Sequence, residues 1–187
     1  MGYGQPPHCH RTRPETRDRE HVLGVGEKFP HFSLQANFSA GRRRAFHTIT
    51  DQDFPGMWKL YIFWPKDFGG RSLAEILDFG ALDAEFRQRN TQILGCSVES
   101  ELAHLAWSDQ ETDLKRVSLP MLSDLRRDLC GQLGILDEDQ GVAQRATFIV
   151  DPDRVIRFVY VTDLNVSRDP GEVLRVLEEL QNPRRPE

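Results

Sequence analysis

The chain reads as an α/β domain in which a mixed central sheet is flanked by helices. Two observations predict this. Apolar segments switch repeatedly between strand and helix periods, and the last two strand-like segments are joined by Asp151-Pro152-Asp153, a turn that sends the chain back antiparallel. Length agrees, because 187 residues suit one core of about 100–200 residues.

Taken in order, residues 29–34 and 45–49 are expected as short strands flanking Gly41-Arg42-Arg43-Arg44, which reads as a solvated hairpin tip. Residues 59–63 form a continuous apolar run of the buried-strand type. Ile76, Leu77, Leu82 and Phe86 make a helical stripe over 73–87, despite Gly80. A strand is expected at 92–98, then helices at 102–107 and at 126–133, the latter ended by Gly134. Strands at 146–150 and 155–161 form the closing hairpin. Val173, Leu174, Val176, Leu177 and Leu180 mark an amphipathic helix over 171–180. This order fits a thioredoxin-like fold. The domain spans 21–181, between a polar, proline-bearing tail at 1–20 and a short terminus at 182–187.

Composition excludes several classes. A net charge of -5 and a pI near 5.7 give no basic field, so nucleic acid is not the expected partner. With no apolar h-region and no long uncharged apolar run, no membrane partner is expected and a cytoplasmic location is the default. Cys9, Cys96 and Cys130 are odd in number and form no Cys-x-x-Cys pair. They indicate neither a disulfide scaffold nor a zinc knuckle, and no metal or other cofactor is called for. His8-Cys9-His10 lacks a fourth ligand nearby and reads as part of the tail.

The most informative stretch is Trp58 to Glu75, WKLYIFWPKDFGGRSLAE: a strand, a loop after Trp64-Pro65, and a helix opening at about Ser72. It resembles the active-site segment of the peroxiredoxins of alkyl hydroperoxide reductase C type. The resemblance extends through Ile93-Leu94-Gly95, His104 with Trp107, Pro120 to Asp124, and Asp139 to Pro152, and covers about Val22 to Gln181. It implies the thioredoxin-like peroxiredoxin fold and thiol-dependent reduction of hydroperoxides. Pro65 and Arg145 stand where the family places its proline and catalytic arginine. Gly69 takes the position of the family's threonine, and Ser72 that of the peroxidatic cysteine. The resolving cysteine that the family carries in a C-terminal arm has no counterpart here.

The replacement is chemical, not cosmetic. A thiol with pKa about 8.5 is brought below neutrality by a helix N-terminus and a nearby cation, and its sulfur donates electrons to the O–O bond. A serine hydroxyl stays protonated and cannot reduce peroxide. Nor does Gly70-Arg71-Ser72-Leu73-Ala74 form the Gly-x-Ser-x-Gly elbow of a hydrolase. Ser72 is instead expected to cap the helix, with Glu75 completing a capping box.

Three readings follow. The first is a degenerate or repurposed peroxiredoxin acting in binding or regulation, as a homo-oligomer or beside a competent peroxiredoxin. Its pocket, built from Gly70, Arg71, Ser72 and Arg145, would hold a small anion, unless Arg145 pairs with a carboxylate such as Glu75. The second is an altered enzyme of a specialised pathway. The third is an antioxidant thiol peroxidase using Cys130, on the short helix, or Cys96, expected as a buried strand residue.

Overall fold

The computed structural model describes residues 21–38 and 46–183. The polar tail with His8-Cys9-His10, the Arg42-Arg43-Arg44 tip and the last four residues lie outside them. Nine strands occur in the described chain: β1 Ser33–Phe38, β2 His47–Thr50, β3 Trp58–Phe63, β4 Thr91–Ser97, β5 Pro120–Ser123, β6 Leu136–Asp137, β7 Val142–Ala143, β8 Arg145–Val150 and β9 Ile156–Thr162. Five α-helices intervene: α1 Gly70–Ala81, α2 Asp83–Gln88, α3 Glu101–Gln110, α4 Asp128–Gln132 and α5 Pro170–Gln181.

Seven strands form one sheet in the order β2-β1-β5-β4-β3-β8-β9, and β6 pairs with β7 in a separate ribbon. The β3–β4 and β4–β5 pairs are parallel and the other five pairs antiparallel. This is the expected mixed sheet. Period-two alternation sends β3 into two cores. Tyr61 and Phe63 enter a half that also holds Phe29, Leu94, Cys96, Cys130 and Phe148. Leu60 and Ile62 enter the other with Trp64, Ile76, Phe79, Trp107, Val173 and Leu177, where α1, α3 and α5 pack.

Several boundaries differ from expectation. Residues 29–32 are not strand; Phe29 packs its ring on Tyr61 at 4.1 Å, nearly parallel. The 73–87 helix is two helices broken at Leu82, whose ψ of 8° leaves the helical region. Gly80 precedes this break because a Cβ there would meet Val117 at 2.7 Å. Strand β5 sits between β1 and β4 although the pattern gave it no signal. Four buried residues that begin with a proline show no alternation to read. The short helix is confined to α4, with Gly134 at φ +70° beyond it. The closing hairpin forms as expected; Asp151 Oδ1 accepts from the N–H groups of Asp153 and Val155 at 3.0 and 2.8 Å.

Candidate active site

The site is assembled where β3 ends. Trp64 and Pro65 are buried, and the loop is fixed through Asp67. The Asp67 carboxylate accepts from the Trp64 indole N–H at 2.8 Å and the Ser97 hydroxyl at 3.3 Å, and meets His104 Nδ1 at 2.7 Å. The other His104 nitrogen faces the Leu122 carbonyl at 3.2 Å. Both ring nitrogens are therefore engaged, and His104 is not a base for Ser72. Phe68 follows in a left-handed conformation at φ 57°, with half of its surface exposed.

Ser72 does not cap α1. The capping position is Gly69, extended at φ -85° and ψ 127°, and its carbonyl accepts from Leu73 N–H at 3.0 Å. That first i→i−4 bond starts the helix at Gly70. Ser72 is consequently its third residue, buried at 2 % exposure, and Glu75 takes no part in a capping box. The helix begins early because the cap is filled by glycine, which costs only a few tenths of a kcal/mol against serine.

Glu75, one turn beyond Ser72, is the hub of the buried site. Arg145, the first residue of β8, donates from Nη1 to Glu75 Oε2 at 2.5 Å and from Nε to the Leu164 carbonyl at 2.7 Å. Arg168, just before α5, donates its backbone N–H to Glu75 Oε1 at 2.9 Å and its Nη2 to Oε2 at 3.1 Å. Arg168 Nη1 also reaches the Ala146 carbonyl at 2.6 Å and Thr147 Oγ1 at 3.1 Å. Burial alone would push the Glu75 carboxyl up, but hydrogen bonds and charge from Arg168, with the charge of Arg145, hold it below its usual range. Burial lowers the Arg168 pKa, and Glu75 offsets part of that.

Arg145 thus pairs with Glu75, the alternative weighed against an anion pocket. Arg71 is engaged as well, donating to the Asn165 carbonyl. Gly70 is exposed and Gly69 half-buried at the start of α1. Sequence reasoning found Glu75 as a partner for Arg145 and missed Arg168. An arginine preceding an Asp-Pro helix start has no periodic signature, and only the return of the chain from β9 brings it to Glu75.

The two described cysteines lie elsewhere. Cys96 in β4 and Cys130 in α4 are both fully buried, in the half of the core opposite Trp64. Burial raises the Cys96 pKa. Cys130 is raised by its contact with the Cys96 thiol, then by burial and Asp124. Among the described residues no group of three or more His, Cys, Asp or Glu could hold a metal ion. No helix among them is long and apolar enough to cross a membrane.

Comparison with known proteins addresses the whole frame. The AhpC/TSA family model matches residues 25–159. Alkyl hydroperoxide reductase C of Mycobacterium tuberculosis is 44% identical over 169 residues, 86% of either chain. Peroxiredoxin-2 of Bos taurus is 35% identical over 160 residues, 84% of this chain and 78% of its own. Among solved structures, Mycobacterium bovis AhpC superposes with a TM-score of 0.82 at 43% identity, covering 88% of this chain and 96% of that one. The reduced 2-Cys peroxiredoxin of Plasmodium vivax gives 0.77 at 28% identity, covering 84% and 81%. The mixed sheet, the loop after β3 and these similarities over most of the chain together place the protein in the AhpC/TSA family, the peroxiredoxins.

Proposed function

We propose that this peroxiredoxin does not run the family's peroxidase cycle and serves in binding or regulation, in the cytoplasm, as a self-associating protein or beside a peroxidase-competent relative. One observation carries the reading. An oxygen, that of Ser72, occupies the first turn of α1 where the chemistry needs sulfur, while Glu75 engages Arg145 one turn away. In this reading Glu75 fills the role a small anionic ligand would take at Gly70, Arg71, Ser72 and Arg145. Peroxidase action through Cys130 or Cys96 is disfavoured because both thiols are buried and held protonated at neutral pH.

The test is peroxide consumption by the full chain with dithiothreitol as reductant. No turnover above the protein-free rate is expected, and Ser72→Cys should restore only weak activity because Gly69 supplies no hydroxyl to the substrate oxygen. Turnover by the unaltered chain that disappears in Cys130→Ala would overturn the reading.

A further inference from the structure

A second polar cluster forms past the far end of β8, the strand that Arg145 opens on the Ser72 side. His31 precedes β1, Asp51 follows β2, and Arg154 lies in the turn between β8 and β9. His31 Nδ1 is 2.8 Å from Asp51 Oδ2, and His31 Nε2 is 2.9 Å from Arg154 Nη1. A guanidinium can only donate, so Nε2 accepts, and the ring proton sits on Nδ1 and is donated to Asp51. Asp51 is 5 % exposed, and its other oxygen accepts from the Phe32 N–H at 3.3 Å. Arg154 Nη2 donates to the Phe29 carbonyl at 2.6 Å, and its Nε lies 3.4 Å from Asp51 Oδ2. The imidazole itself is open to water, with 72 % of the side chain exposed. Arg154 holds φ 65°, the left-handed region where a side chain is costly and glycine is the ordinary occupant. The turn alone would not call for arginine there; the contacts of the guanidinium do.

We propose that His31 is a phosphoryl-acceptor site, its Nε2 taking a phosphoryl group from a small donor of the phosphoramidate class. Asp51 keeps the proton on Nδ1, which leaves the lone pair on the outward nitrogen, and its charge offsets the cation that the ring becomes. Arg154 stands beside that nitrogen, where its planar N–H groups match phosphoryl oxygens. As the donor enters, Nη1 moves its hydrogen bond from Nε2 to a phosphoryl oxygen, while Nη2 stays on the Phe29 carbonyl. The freed lone pair attacks phosphorus, a P–N bond to His31 forms, and the P–N bond of the donor breaks. With zwitterionic phosphoramidate the electron pair of that bond leaves on ammonia, which already carries its three hydrogens. Nothing is oxidised or reduced, and the Nδ1 proton remains between the ring and Asp51. Neither Ser72 nor peroxide takes part, so this chemistry is separate from the function proposed above.

The experiment incubates the full chain with potassium phosphoramidate at neutral pH and samples it over time. Digestion and mass spectrometry under alkaline conditions, which preserve phosphohistidine, give the occupancy at each histidine. His21 is the internal reference, because it is 78 % exposed and faces Glu27 only at 3.5 Å. His31 should be labelled about tenfold faster than His21, the effect of one charge-assisted hydrogen bond on a rate. Arg154→Gln and Asp51→Asn should each bring His31 down to the His21 rate, and His31→Gln should remove that label alone. Circular dichroism checks that each variant folds; where one does not, the ratio of His31 to His21 in the unaltered chain decides alone. Labelling of His31 no faster than His21, or an unchanged ratio in folded Arg154→Gln, would overturn the site. Because no hydroperoxide is present, failure here is separate from failure of the peroxide assay.

Discussion

Glu75 places a carboxylate between two guanidinium groups inside the protein, and the balance of that arrangement sets its pH behaviour. Burying a charge is unfavourable unless it is paired and hydrogen-bonded, and here Arg145 and Arg168 supply both. Removing the carboxylate leaves two buried cations unpaired. Glu75→Gln should therefore cost about 3–5 kcal/mol. The sign with pH follows from the lowered carboxyl. Its contribution is complete above the ordinary value of 4.5 and is lost as pH falls through the still lower value in the folded state. Thermal melts between neutral pH and strong acid should show the parent losing stability in that acid window, with Glu75→Gln lower throughout and flatter there. Ser72 shows how far one residue could be read from sequence. Its identity was plain, but its place in the helix was not: it was expected as the cap, and Gly69 takes that position because whichever residue first accepts the backbone bond becomes the cap.

At the scale of elements, β3, α1, β8, β9 and α5 were legible because each carries its own period. Tyr61 and Phe63 alternate with Leu60 and Ile62, and the stripe on α5 repeats at helical spacing. The break at Leu82 and the central position of β5 were not, because both depend on what lies across the core. Gly95 in β4 gives a measurable case. A Cβ there would lie 2.6 Å from Cζ3 of Trp64, the residue that ties the loop to Asp67. Gly95→Ala should destabilise by about 1–3 kcal/mol through overpacking. Displacement of the indole should also change Trp64 fluorescence in the folded protein. An unchanged denaturation midpoint would mean that the indole moves aside at no cost.

For the whole molecule, the exposed Phe68 on the loop before α1 and the exposed Leu102 on α3 are apolar surface that a monomer leaves in water. Self-association is the expected outcome: light scattering should give at least the mass of a dimer, and Phe68→Asp should lower it. A monomer mass for both proteins would remove Phe68 from any interface. What the sequence determined by itself was the frame and the residue types set into it. The alternation of periods, the segment Trp64 to Glu75 and the oxygen at position 72 are local facts that no packing can alter. The tertiary structure decided the partnerships. Arg168 reaches Glu75, Asp67 holds His104, and Cys96 shares one half of the core with Cys130 only because chain returns across the sheet bring together residues that are far apart in sequence. Local pattern carries no record of such contacts, because the energy that fixes them comes from burial and charge pairing that exist only once the sheet has formed.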